Sequence, residues 1–249
     1  MRVFGIVGDG RIGRRLAERA RGIPGWAPAV ILARGGDVGA FLAAGPEIVF
    51  ECASRDALAT LGPVLLAGGV DLVPLSLTAF CDRQVEERLR AAAQAGPGRL
   101  EIPPGAMGAL DAIAAAREDE LHGVVYRQAK SPAMWMTTPA RGLADLAAID
   151  SRRVFMAGSA REVASRFPDN LNTSVGVALA GLGLDRTRVE LVADPELLAT
   201  CHELELDGGP GSYSVRVGGR PVGPGGDPVD YSTFGLLRIL RRRTARIAT

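Results

Sequence analysis

The chain opens on a short apolar run, Val3 to Val7, that leads directly into Gly8-Asp9-Gly10-Arg11-Ile12-Gly13. No other stretch constrains the fold as strongly. The run has the length of a strand buried on both faces of a parallel sheet. The residues after Gly13, Arg14 to Arg21, are strong helix formers. A G-x-G-x-x-G between a strand and a helix is the context of a dinucleotide-binding turn. In that turn Gly8 permits the sharp bend, Gly10 lets the backbone approach a pyrophosphate, and Gly13 lets helix and strand pack closely. The pyrophosphate sits over free N–H groups at the helix start, with Arg11 and Ile12 as further expected contacts. Because 32 of the 249 residues are glycine, the spacing also fits a tight turn without a ligand.

A break over 22–28 precedes a second expected strand, Ala29 to Ala33, which ends at Arg34-Gly35-Gly36-Asp37. An acid at this strand end accepts from the ribose 2′-OH of NAD, whereas an arginine favours the 2′-phosphate of NADP. Arg34 occupies the place, which leans the reading to NADP over NAD. Asp37 is within reach as the alternative, and Arg34 as a plain surface arginine is another. A third strand, Glu47 to Cys52, is followed by Ala53-Ser54, small residues that permit close approach of the nicotinamide side of a cofactor. Cys52 reads as a small core residue, with a nucleophile as the alternative. Helices over 55–68 and 81–94 and strands over 70–74 and 99–102 complete the alternation. This is an α/β, Rossmann-type doubly wound parallel sheet.

At Pro103-Pro104-Gly105-Ala106 the character changes, since proline has no place in a central strand. Beyond it we expect a helix over 108–120 and a less regular, strand-rich region at 122–130, 154–155, 189–193, 201–206 and 212–217. This predicts a second, α+β domain with a mostly open sheet that a partner subunit covers, hence a homodimer. The Gly/Pro-rich 218–230 reads as a return crossing, and a last helix over 232–243 packs back on the first domain. The expected boundaries are 1–104 plus 222–249 for the dinucleotide-binding domain and 105–221 for the substrate-binding and dimerisation domain.

Charge is balanced, 29 Lys+Arg against 28 Asp+Glu, so no general basic field draws the chain to nucleic acid or to an anionic membrane. The one basic cluster, in the C-terminal LLRILRRRTARIAT, reads as the solvated end of an amphipathic helix, with a nucleic-acid tail as the alternative. No run approaches the roughly 18 apolar residues of a membrane span, and the first residues are a strand instead of a signal peptide. Cys52, Cys81 and Cys201 form no C-x-x-C, and there are only two histidines, so no metal site is expected. A reducing cytoplasm fits this cysteine usage.

Three clusters in the second half carry chemistry. In Ile102 to Asp111, glycines leave N–H groups accessible at a helix start, suited to a carboxylate or to the nicotinamide amide, or form an interdomain hinge. In Arg166 to Ser174, Asn170 and Asn172 offer donors and acceptors together, while Thr173 or Ser174 suits the cap of an apolar helix over 175–182. The third cluster runs from Ala193-Asp194-Pro195 to Thr200-Cys201-His202-Glu203. His202 is a candidate acid/base, or else a packed strand histidine. His122 reads as a surface turn residue.

Together these clusters resemble the L-aspartate dehydrogenase family over nearly the whole chain. The similarity rests on GDGRIG at 8–13, FECAS at 50–54, IPPGAMGALDAI at 102–113, AKSP at 129–132, GSAREVASRFPDNLN at 158–172, and the stretch from Asp185 to His202. The resemblance implies an NAD(P)-binding Rossmann domain, a second domain that dimerises through its sheet, and oxidative deamination of aspartate. By residue match, His202 corresponds to the active-site histidine, and Ala106 and Asn172 to cofactor contacts. Lys130, Asn170 and Thr173 are the expected substrate binders. The chain departs from the family pattern at Pro104, in place of a serine, and at Thr200, in place of an asparagine. It departs again at Asp227 to Tyr231, in place of Asn-Pro-Lys-Thr-Ser. A related reaction on another amino acid or imine, and a non-catalytic NAD(P)-binding sensor or scaffold, are the competing readings.

Overall fold

The computed structural model describes residues 1–209, 211–221 and 231–247. In chain order the first elements are β1 (Phe4–Val7), α1 (Arg11–Ala20), β2 (Val30–Leu32), α2 (Val38–Ala43), β3 (Ile48–Glu51), α3 (Arg55–Ala67), β4 (Asp71–Pro74) and α4 (Arg83–Ala95). There follow α5 (Leu110–Ala116), β5 (Leu121–Lys130), α6 (Pro132–Trp135), β6 (Arg153–Ser159), α7 (Ala160–Arg166), α8 (Asn172–Ala180) and β7 (Arg188–Ala193). The last are β8 (Cys201–Gly208), β9 (Gly211–Gly218) and α9 (Tyr231–Arg242). They divide into two compact units, Met1–Pro103 with Tyr231–Thr249, and Pro104–Asp230.

The first unit is a parallel sheet of order β2-β1-β3-β4. Its strands are apolar apart from Glu51 and Asp71 at strand ends, because helices cover both faces. Phe4 and Ile6 of β1 point to one face. There they pack with Leu16 of α1, Trp26, Ile48, Phe50 and Val73, and with Leu236, Ile239 and Leu240 of α9. The Trp26 indole donates to the Leu240 carbonyl at 3.0 Å, which pins the last helix to this layer. Gly5 points to the other face, where a Cβ would lie 2.5 Å from the Phe41 ring of α2. The expected strand over 99–102 makes a single parallel bridge, Leu72 with Leu100. The prolines at 103 and 104 offer no further donors to continue it. The C-terminal basic cluster is partly tied down. Arg242 pairs with Glu101, and Arg243 with both Glu101 and Asp71.

The second unit is a mixed sheet of order β6-β7-β5-β8-β9, with β5 and β7 parallel and the other pairs antiparallel. The nearly all-apolar α8 is buried against β5 and between α5 and α7, as a helix without a polar face must be. The helix expected over 108–120 is confined to α5. Gly108 has φ +63, outside the helical range, so the helix starts two residues later. His122, expected in a turn, is exposed on β5. The helix α7 has no counterpart among the expected elements, yet it carries a helix-start signature. The Ser159 hydroxyl accepts from the Glu162 N–H while the Glu162 carboxylate accepts from the Ser159 N–H, a complete capping box. Among the described residues no helix is long and apolar enough to cross a membrane, and no group of three or more His, Cys, Asp or Glu could hold a metal.

Candidate active site

In the first unit the three glycines after β1 are glycine for three different reasons. Gly8 has φ +104, and a Cβ there would lie 2.9 Å from the Cys52 carbonyl oxygen. At Gly13 a Cβ would collide with the carbonyl oxygen of Gly8. Gly10 differs from both. Its φ of −70 suits any residue, and a Cβ would meet nothing within 4 Å. The fold does not require glycine at 10. The free space lies at the start of α1, whose first N–H groups no side chain caps. An uncapped helix start faced by a bare backbone fits a bound pyrophosphate. Arg11 is exposed on the first turn of α1 and Ile12 is half-buried beside it.

At the end of β2, Arg34 lies exposed in the turn. Asp37 has a structural task, since its Oδ1 accepts from the Ala40 N–H at 3.1 Å and caps α2. At the end of β3, Glu51 is 1 % exposed and organises two loops at once. Its Oε1 accepts from the N–H groups of Ala53 (2.7 Å) and Ser54 (2.9 Å) and from the Ser76 hydroxyl (3.0 Å). Its Oε2 accepts from the Ser76 N–H at 3.0 Å. Burial raises the Glu51 pKa, and these bonds oppose the rise. The Ser54 hydroxyl caps α3 by accepting from the Ala57 N–H. The N–H groups of Ala53 and Ser54 are therefore spent within the protein. What these two residues present outward is small size, which a close-packed ligand face needs. Glu51 was legible in the sequence only as one polar residue in a strand.

In the second unit, strand alternation puts Tyr126, Gln128 and Lys130 on one face of β5. The antiparallel register sets Gln128 opposite His202 and Tyr126 opposite Leu204, so His202 shares that face. The Tyr126 hydroxyl lies 2.6 Å from Nδ1 of His202 and is also hydrogen-bonded by Thr173. Tyr126 is fully buried, and its pKa is raised far above the usual value, first by burial. Burial also pushes His202 down to about 4, assisted by the positive charge of Lys130. Lys130 is 9 % exposed, and burial lowers its own pKa. Its ammonium sits 4.8 Å from the centre of the Trp135 ring, and the Trp135 indole is anchored on the Val192 carbonyl at 2.7 Å. The buried amide oxygen of Gln128 has no hydrogen-bond partner.

Thr173 and Ser174 do not cap α8. The helix begins at Asn172, and the Ser174 hydroxyl donates back to the Leu171 carbonyl at 2.7 Å. Asn172 is half-buried on the first turn, and Asn170 precedes it in a turn closed by its N–H on the Phe167 carbonyl. The loop carrying Ala106 passes close by, since a Cβ on Gly105 would lie 3.7 Å from the Thr173 hydroxyl. Pro104 accepts from the Gly108 N–H and closes this loop. Lys130, His202 and Thr173 thus form one cluster, with Tyr126, which sequence reasoning missed, at its centre. Thr200 stands just before β8, its carbonyl accepting from Gly219. Asp227 to Asp230 lie outside the described residues.

Residues 111–240 match a family described as aspartate dehydrogenase, C-terminal, and residues 8–103 a homoserine dehydrogenase NAD-binding domain. An L-aspartate dehydrogenase of Pseudomonas aeruginosa is 38% identical over 78% of this chain and 73% of its own length. An L-aspartate dehydrogenase of Bordetella bronchiseptica is 44% identical over 72% of this chain and 67% of its own. The fold is that of a solved aspartate dehydrogenase from Thermotoga maritima, with a TM-score of 0.79 at 24% identity, covering 100% of this chain and 99% of that one.

Proposed function

The chain belongs to the aspartate dehydrogenase family, and we propose that it interconverts L-aspartate with oxaloacetate and ammonia through iminosuccinate, using a nicotinamide dinucleotide. When bound, the dinucleotide supplies the acceptor for the hydride that leaves C2 of the amino acid. The remaining tasks fall to the protein. It must bind two carboxylates and manage protons as water adds to the imine and ammonia departs.

The observation that carries this reading is a buried lysine beside a half-buried, neutral imidazole at one end of a sheet. A cation as buried as Lys130 calls for an anionic partner, and a substrate carboxylate supplies one. The same dianion draws the His202 pKa back up from about 4, because adjacent negative charge favours the imidazolium. His202 then acts as proton carrier only when substrate is present. Asn170, Thr173 and the N–H groups near Ala106 are the other substrate contacts. Gly8, Gly10, Arg11, Ile12 and Gly13 hold the pyrophosphate, with Ala53 and Ser54 further along the cofactor; Ala106 and Asn172 are the additional cofactor contacts that the family resemblance implies. Because one Asp37 oxygen is engaged in capping α2, Arg34 tips the preference to NADP. The open five-stranded sheet, with Tyr213 44 % exposed on β9, serves as the homodimer surface. Three cysteines held as thiols suit the cytoplasm.

A nicotinamide absorbance assay tests the proposal, with NAD and NADP run separately. It uses L-aspartate in one direction, oxaloacetate with ammonia in the other, and a panel of other amino acids and keto acids alongside. Aspartate turnover that His202→Ala abolishes, with dinucleotide binding intact, is the expected result. Turnover of a different amino acid alone supports a second reading, which Pro104 favours, since a proline nitrogen has no hydrogen to give a carboxylate. Dinucleotide binding without turnover of anything makes the chain a sensor or scaffold and overturns the proposal.

A further inference from the structure

We propose that Tyr126, backed by Thr173, is a positioning residue that locks His202 in the single tautomer with its proton on Nε2. His202 therefore meets the substrate as an N–H donor. The inference rests on the reading of His202 as the group that acts on substrate. Two arrangements of hydrogens could join these three side chains. In one, Thr173 donates to the Tyr126 oxygen, and the phenol donates to Nδ1 of His202. In the other, Nδ1–H donates to the phenol oxygen, and the phenol donates to Thr173. Acid and base strength decide between them. A phenol is a far better donor than a neutral imidazole N–H, and the bare imidazole nitrogen is a far better acceptor than a phenol oxygen. The close Tyr126–His202 contact at 2.6 Å is therefore the phenol donating to Nδ1. With Nδ1 already accepting, the remaining ring hydrogen is on Nε2.

The same surroundings limit what Tyr126 can do. Its deep burial makes the phenolate inaccessible, so the phenol orients the ring and does not relay a proton. The partner of Nε2–H must carry a lone pair. A substrate carboxylate oxygen qualifies, and so does the oxygen that adds to C2 from water. The ammonium of the substrate amino acid does not. Tyr126 thus makes the neutral ring of the substrate-free chain a donor at Nε2 only. The second proton that His202 takes up beside the substrate dianion goes to Nδ1, with the phenol then turned toward Thr173.

The test is long-range 1H–15N NMR of the substrate-free, 15N-labelled chain, with His122→Gln leaving one imidazole to assign. The expected spectrum has Nε2 protonated and Nδ1 bare, unchanged from pH 8 to about 5. In Tyr126→Phe the ring loses its fixed tautomer and its protonation midpoint rises. We expect kcat to fall about tenfold with the KM for substrate little altered, as loss of one hydrogen bond implies. Thr173→Val gives a smaller change of the same sign and serves where Tyr126→Phe does not fold. A parent spectrum with the proton on Nδ1 overturns the inference, and so does a Tyr126→Phe spectrum indistinguishable from the parent or, where that variant does not fold, a Thr173→Val spectrum indistinguishable from it. Because the spectra need no substrate, an inactive chain with Nε2 protonated refutes the proposed function alone.

Discussion

Replacing Gly10 by alanine separates a glycine kept for a ligand from glycines kept for the fold. The new Cβ meets no protein atom within 4 Å, and φ −70 is comfortable for alanine. Stability gains about 0.4–1 kcal/mol from a less flexible unfolded chain. It loses an amount of about the same size because alanine is the poorer helix N-cap. The net is near zero, so the melting temperature stays within about 2 °C of the parent. Gly13→Ala contrasts with this, since its Cβ drives into the Gly8 carbonyl. Overpacking of that kind costs about 1–3 kcal/mol. Dinucleotide affinity should respond in the opposite order to stability. A methyl at position 10 pushes a pyrophosphate off the N–H groups of α1, and a hydrogen bond to a charged group is worth about 1.5–3 kcal/mol. The dissociation constant for NAD(P) therefore rises about 10- to 100-fold in Gly10→Ala. Isothermal titration with each dinucleotide, next to a thermal melt, measures both quantities. Unchanged affinity at unchanged melting temperature would refute the assignment of the α1 start as the pyrophosphate site.

Three further outcomes follow from the same geometry. Glu51→Gln turns one acceptor into a donor that faces an N–H already present, leaving a buried group unpaired. It should cost about 1–3 kcal/mol in a urea melt, and no loss would mean that the Ala53–Ser54 and Ser76 loops hold themselves. His202 is neutral in the fold and its pKa falls from 6.5 to about 4. The unfolded chain therefore takes up its proton first, and stability that is complete above pH 6.5 is lost as pH falls toward 4, by up to about 3 kcal/mol. Urea melts from pH 7.5 to 4 should show this slope in the parent and a shallower one in His202→Gln. Arg34→Ser should weaken NADP about tenfold and leave NAD unchanged, an exposed charge-assisted contact being worth about 1.5 kcal/mol. Equal loss for both dinucleotides would place Arg34 outside the ribose site.

What the sequence determined by itself was whatever depends on neighbours in the chain. The bend at Gly8, the open backbone at Gly10 and the close packing at Gly13 were readable because strand, turn and helix are consecutive. The apolar runs at β1 and β3, both buried throughout, marked a doubly wound sheet for the same reason. His202 stood out by rarity, while Tyr126, Gln128 and Lys130 fall on one side of β5 by the period of two of the strand. Only the tertiary structure decided which residues share that side with His202. Tyr126 and His202 are 76 positions apart, and a one-residue slip in the β5–β8 register would turn His202 to the opposite face. Register is set by the buried pattern of the whole sheet and by α8 packed on it, so no local signal carries it. The same holds for Glu51. Its four hydrogen bonds include two from Ser76, 25 positions away, and only the parallel pairing of β3 with β4 brings a strand carboxylate to the loop that needs an acceptor. Short-range chemistry is written in adjacent residues; a buried polar cluster exists only once distant strands have chosen their register.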